Sequence, residues 1–157
     1  MKLNREFLDK TIKQFPLSIN GTHGLGHWQR VLVNGLKLAR TTGADTSVVI
    51  WFAYLHDCRR LSDMGDVGHG PRAAVFARTH KNELGLNEAQ LKILLEAISC
   101  HTKGCGFGAD ITVQTCLDAD RLDIKRIGAR VDPNQLYTEV AREIAREENK
   151  IERERNK

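Results

Sequence analysis

Apolar residues recur at spacings of three and four along almost the whole chain, the period of helices that bury one face. Between Asn4 and Gln14, Phe7, Leu8 and Ile12 share a side. Between His27 and Thr41, Trp28, Val31, Leu32, Gly35, Leu36 and Ala39 make a stripe, and Gly43 follows as a C-terminal cap. A third helix is predicted over Thr46 to Cys58, with Val48, Val49, Phe52, Leu55 and His56 facing inward. The β-branched run at its start would suit a strand, but the longer pattern is helical. A fourth helix is predicted from Pro71, a favoured first position, to about His80. A fifth starts at Asn87, where Gln90 completes a capping box and Leu91, Leu94, Leu95 and Ile98 form the buried face. A sixth runs from about Thr112 to Ile127, with Val113, Cys116, Leu117, Asp120 and Ile124 on one side. The last begins near Asn134, becomes almost wholly charged after Ile144, and is expected to fray beyond about residue 145. Loops rich in Gly and polar residues separate these segments, and no repeat or low-complexity linker interrupts them. The expectation is one all-α domain over residues 1–157, a bundle of six to seven helices.

Several polar residues lie on the apolar faces. His56 and Asp57 close the third segment behind Phe52 and Leu55. Asp120 stands three and four residues after Leu117 and Cys116, so it points with them into the core. His27 opens the second segment, four residues before Val31, on the buried face. A buried unpaired carboxylate costs several kcal/mol. Taken singly, each has an ordinary reading, a hydrogen-bonded core histidine or a helix cap. Taken together, two imidazoles and two carboxylates on separate inward faces suit one divalent cation, of Mn, Fe, Co, Ni, Zn or Mg type.

The ordered pattern His27, His56-Asp57, Asp120 resembles the HD superfamily of metal-dependent phosphohydrolases. The strings THGLGHWQRV, FAYLHDCRR, GHGPRAA, CHTKG and LDADRLD are similar to a subgroup of small bacterial HD-domain proteins, over roughly residues 20 to 140. The resemblance implies an orthogonal helical bundle with the metal at its middle. It makes His27 the first ligand, His56 and Asp57 the doublet, and Asp120 the last ligand, and leaves Asp118 a supporting or capping part. Asp57 would also orient or deprotonate water. His69 and His101 fall where some HD proteins hold a second metal or a phosphate; hydrogen bonding or proton delivery to phosphate is the role expected here, which makes Asp57, His69 and His101 the catalytic candidates. Arg59, Arg60, Arg72, Lys103 and Arg121 flank these motifs, and Arg60, Arg72 and Lys103 are the candidates for binding substrate phosphate. His23 is either a rim residue or a loop histidine without a task. Asp63 and Asp66 could read a sugar or base, but beside Gly65 and Gly68 they are better read as turn formers.

Composition narrows the function further. There are 24 Lys and Arg against 20 Asp and Glu, a net charge of +4, with only 6% aromatic residues. This mild excess lacks the basic stripe interleaved with aromatics that marks a nucleic-acid binder, but it suits a small anionic substrate. The longest apolar run, about Val48 to Leu55, is too short to span a bilayer, and the charged N-terminal stretch lacks a signal-peptide core. No membrane partner and a cytoplasmic location are expected. Cys58, Cys100, Cys105 and Cys116 form no C-x-x-C pair and are expected to be reduced; Cys100, His101 and Cys105 match no common zinc spacing. The function expected is metal-dependent hydrolysis of a nucleotide or similar small phosphate ester, with one divalent ion and room for a second. A nucleotide-binding domain without catalysis and a di-iron oxidase are the alternatives, and a homodimer is compatible with each.

Overall fold

The segment with no polar face takes the middle of the molecule. In the computed structural model, which describes residues 3–104 and 107–155, Val48, Val49, Trp51, Phe52, Ala53 and Leu55 of helix α3 (Thr46–Leu55) are all buried. A helix apolar on every side must be surrounded, and α2 (Leu25–Thr42), α6 (Glu88–Cys100) and α7 (Ile111–Arg121) pack around it. Outside them lie α1 (Arg5–Lys13), α4 (His69–Thr79) against α6, the single turn α5 (Lys81–Leu84), and α8 (Glu139–Arg155). Two 3-10 turns, Ile124–Ile127 and Pro133–Gln135, link α7 to α8, and there is no strand among the described residues. Among the described residues the bundle is all-α, with eight helices where six to seven were expected. The addition is α5, which Gly85 ends at a φ of 62°.

Local chemistry explains most boundaries. Gly43, at a φ of 74°, closes α2, a conformation that side chains with a Cβ rarely adopt. The Asn87 and Gln90 capping box opens α6. Asp45 caps α3 by accepting from Ser47 N at 2.8 Å, and its other oxygen accepts from Gln90 Nε2 at 2.8 Å, so one side chain ties the starts of α3 and α6 together. Gly35 lets α2 approach α3: a Cβ there would stand 2.6 Å from Val49 Cγ1.

Four boundaries differ from the periodicity. Helix α3 stops at Leu55, and a turn closed by Arg60 N on Asp57 O at 2.9 Å carries the His56-Asp57 doublet. Helix α4 starts at His69, two residues before Pro71; the proline still lies in the first turn, where backbone N–H groups have no intrahelical acceptor. The sixth predicted helix divides into α7 and a 3-10 turn ended by Gly128 at a φ of 75°. Helix α8 begins at Glu139 and not at Asn134, because Pro133 starts a separate turn. Its residues 151–155 are exposed. Cys58 and Cys116 are buried free thiols, but Cys100 is disulfide-bonded, against the expectation of reduced cysteines throughout.

Candidate metal centre

Helix ends converge on one buried point. His27 lies in the first turn of α2, His56 and Asp57 in the turn after α3, and Asp120 in the last turn of α7. His69 opens α4 and His101 follows the end of α6. Two glycines allow the approach. At Gly24 a Cβ would lie 2.0 Å from the Ile19 carbonyl oxygen, so only glycine lets the preceding loop fold under the start of α2. At Gly70 a Cβ would lie 2.6 Å from the Ile98 carbonyl oxygen and 3.3 Å from the His101 ring, so its absence brings α4 and α6 together beside His69 and His101.

The hydrogen bonds fix the tautomers. A carbonyl or carboxylate only accepts, so the imidazole nitrogen facing it carries the proton. His27 Nδ1 donates to Asp123 Oδ2 at 2.7 Å, and His56 Nδ1 to the Phe52 and Ala53 carbonyls, each at 3.1 Å. The Nε2 lone pairs of His27 and His56 are then 3.0 Å apart. Asp120 Oδ1 lies 3.3 Å from the first and 3.8 Å from the second, and Asp57 Oδ2 lies 3.6 and 3.7 Å from them. Four acceptors thus face one another. Such a set is repulsive until a cation enters it, and two nitrogens with two carboxylate oxygens make a fitting set for a divalent transition ion or zinc. Three of the four residues also meet the geometric requirement for a shared ion as the group His27, His56 and Asp57.

The other oxygen of Asp57 enters a second group. His69 Nδ1 donates to the Asp66 carbonyl and His101 Nδ1 to the Ile98 carbonyl at 2.7 Å. Their Nε2 atoms stand 2.7 Å apart, at 3.0 and 3.7 Å from Asp57 Oδ1. Asp57, His69 and His101 therefore form a second cluster able to hold an ion.

Protonation favours ligation at His56, Asp57 and Asp120 and opposes it at His27. Burial pushes the His56 imidazole down to about 4, leaving it neutral with its lone pair free. Burial resists ionisation of Asp57, but His56, His101 and His69 outweigh it and hold the carboxyl well below the usual range. Asp120 is lowered in the same way: desolvation opposes, and His27 and His56 prevail. His27 is raised, because the hydrogen bonds to Asp120 and Asp123 more than offset its burial.

Around the clusters, Arg60 Nη1 reaches Asp57 Oδ1 at 3.3 Å. The other phosphate candidates lie differently. Arg72 pairs with Asp66 and donates to the Arg59 carbonyl, and Lys103 is exposed. Arg59 stacks on Phe76 at 3.7 Å, and Arg121 lies 5.7 Å over Tyr137. Asp66 behaves as a turn former, accepting from Leu61 N at 2.8 Å and Gly68 N at 3.3 Å. Asp63 reaches across instead to the buried His23, whose Nδ1 is 2.6 Å from its Oδ1. Asp118 points away from the clusters and accepts from Tyr137 N, Thr138 N and Thr138 Oγ1 at 2.7–2.8 Å, holding the start of α8. Of the Cys100, His101 and Cys105 trio, Cys105 lies outside the described residues.

Sequence reasoning did not single out Asp123 or Arg30. Asp123 accepts from His27 and, through Oδ1, from Arg30 Nε at 2.7 Å, so it orients the imidazole and is itself oriented. Its one visible signal is a further carboxylate in the LDADRLD string, three residues past Asp120.

Searches against protein-family profiles and against curated proteins find no match. Among solved structures, the chain is similar to the crystal structure of a predicted HD superfamily hydrolase from an uncultured Thermotogales bacterium. The TM-score is 0.76 at 26% sequence identity, over 96% of this chain and 87% of that one. The resemblance read from the motifs therefore holds across the whole bundle.

Proposed function

We propose that this chain, which has the HD-superfamily fold, is a metal-dependent phosphohydrolase acting on a nucleotide or a similar small phosphate ester. The observation that carries the reading is the convergence of His27 Nε2, His56 Nε2, Asp57 Oδ2 and Asp120 Oδ1 with their donors already spent on other partners. The hydrolase likeness of the Thermotogales protein supports the reaction class.

A divalent ion held by these four residues supplies Lewis acidity toward a phosphate oxygen and acidifies water. Asp57, with one oxygen in each cluster, orients the attacking water. Phosphoryl transfer needs positive charge fixed near the equatorial oxygens more than it needs covalent chemistry. Arg60, against Asp57, is positioned to supply it, with Lys103 on the neighbouring loop as a second contact. Arg72 contributes indirectly, by neutralising Asp66 in the loop that carries Arg60. His69 and His101 bond to the phosphate or deliver a proton to the leaving group when a further proton sits on the Nε2 of one of them, since each Nδ1 proton is held by a backbone carbonyl.

Metal content comes first as a test. Wild-type protein purified without added metal is expected to retain about one ion per chain, and His56→Ala, Asp57→Ala almost none. A panel of nucleotides and phosphoesters with Mn, Co, Ni, Mg or Zn should then release phosphate or pyrophosphate, and Asp57→Ala should abolish it. No turnover across the panel with metal bound would sink the phosphohydrolase reading. The sharing of Asp57 between two clusters also favours a di-iron oxidase as the second reading. Two irons per chain in aerobically prepared protein would move it ahead.

A further inference from the structure

The second cluster contains a fixed positive charge. Arg60 Nη1 lies 3.3 Å from Asp57 Oδ1, and 3.3 and 3.2 Å from Nδ1 and Nε2 of His69. A point equally close to both ring nitrogens avoids the carbon between them only by lying over the face of the imidazole. This guanidinium nitrogen therefore lies over the ring of His69 and leaves the Nε2 lone pair turned toward His101 and Asp57. A guanidinium stays charged at any pH a protein tolerates. This one is also held in place: Arg60 Nε donates to the Ser62 carbonyl at 3.0 Å, and its backbone is bracketed by Arg60 N on Asp57 O at 2.9 Å and Leu61 N on Asp66 Oδ2 at 2.8 Å. The first cluster differs. Among the described residues, the ion pairs of Asp57 Oδ2 and Asp120 are with histidines alone.

We propose that Arg60 is the second cation of this centre. Its guanidinium neutralises Asp57 Oδ1 where a second metal ion would need that oxygen, so the protein holds one divalent ion, on His27, His56, Asp57 and Asp120. A second ion on His69 and His101 would share a buried carboxylate oxygen with a permanent positive charge, and in a site of low polarity the two repel strongly. The cluster is thereby kept free of metal and His69 and His101 remain available to a phosphate. This inference rests on the metal reading above and decides its stoichiometry.

The test is a manganese titration of metal-free wild type, Arg60→Gln, His101→Ala and the Arg60→Gln, His101→Ala double variant. Circular dichroism confirms folding, mass spectrometry counts bound manganese per chain after desalting, and electron paramagnetic resonance detects coupled pairs. One ion is expected in wild type and in His101→Ala, and two in Arg60→Gln, with the broadened spectrum of an exchange-coupled pair bridged by Asp57. The double variant should return to one. Two ions in wild type, or loss of the single ion in His101→Ala, overturns the proposal without any need for Arg60→Gln to fold. One ion in folded Arg60→Gln overturns the proposal alone and leaves the metal reading standing. No ion in any of the four proteins overturns both.

Discussion

Asp118 and Asp123 are five residues apart, both buried, and occupy opposite roles because of what their oxygens face. Asp123 faces His27 and Arg30; Asp118 faces the backbone ahead of α8. Carboxylates that orient a ligand imidazole typically affect metal affinity by about 10–100-fold. Asp123→Asn is therefore expected to weaken metal binding by that order while leaving the ion count at saturation unchanged, as read by titration calorimetry. Asp118→Ala should leave metal affinity intact and lower stability by about 1–3 kcal/mol, since it strands the buried N–H and hydroxyl of Thr138; urea unfolding measures this. Asp66 offers a pH test. Desolvation opposes its ionisation, but Arg72 and the N–H groups of Leu61 and Gly68 hold its carboxyl down to about 2. A carboxyl depressed in the folded state stabilises above its unfolded value, near 4, and loses that contribution as the pH falls through the folded value. The thermal midpoint of wild type should exceed that of Asp66→Asn at pH 5 to 7, and the difference should shrink as the pH drops from about 4 toward 2.

Among the elements, the site depends on how closely helices approach. Helix α4 brings His69 toward His101 only because Gly70 packs on the backbone of α6. Gly70→Ala gains helix propensity of about 1 kcal/mol, yet its Cβ would meet a carbonyl oxygen, which cannot turn away as a flexible side chain does. Overpacking of this kind costs about 1–3 kcal/mol, so a net loss in thermal stability is expected, along with weakened communication between His69 and His101. Helix α2 makes the same kind of approach to α3 through Gly35, but there the obstacle is a Val49 methyl, and Val49 is β-branched and stiff. Gly35 sits in an apolar stripe, where periodicity alone reads it as a small core residue, whereas Gly70 precedes the helix predicted from Pro71 and its approach to α6 appears only in the fold. The doublet is likewise a matter of element boundaries. The periodic pattern carries α3 through His56 to Cys58, whereas the helix stops at Leu55, and the turn frees Asp57 to present one oxygen to each cluster.

For the molecule as a whole, a metal ion held by the proposed centre, built from the ends of α2, α3, α4, α6 and α7, would make metal binding and folding one equilibrium. An ion that binds only the native state stabilises it by about 2.7 kcal/mol at a hundred times its dissociation constant. The thermal midpoint should rise with manganese concentration and fall with chelator, and it should respond to neither in His56→Ala, Asp57→Ala. Much of this organisation was legible in the chain itself. The helical period, the caps at Gly43 and at Asn87 with Gln90, and the inward polar residues His27, His56, Asp57 and Asp120 are local signals, because a residue's face and a cap's chemistry depend on neighbours within four positions. These signals were enough to predict an all-α bundle and to nominate a metal centre. Local signals cannot say which loop residue meets which helix end. That Asp123 takes the far nitrogen of His27, that Asp63 reaches His23 and Asp66 holds Arg72, and that Arg60 lies over His69 beside Asp57 were decided by packing between segments 40 to 96 residues apart in two of these cases, and by the fold of a ten-residue loop in the others. Periodicity carries the direction of a side chain but not its partner, and the partner exists only once the helices have closed around α3.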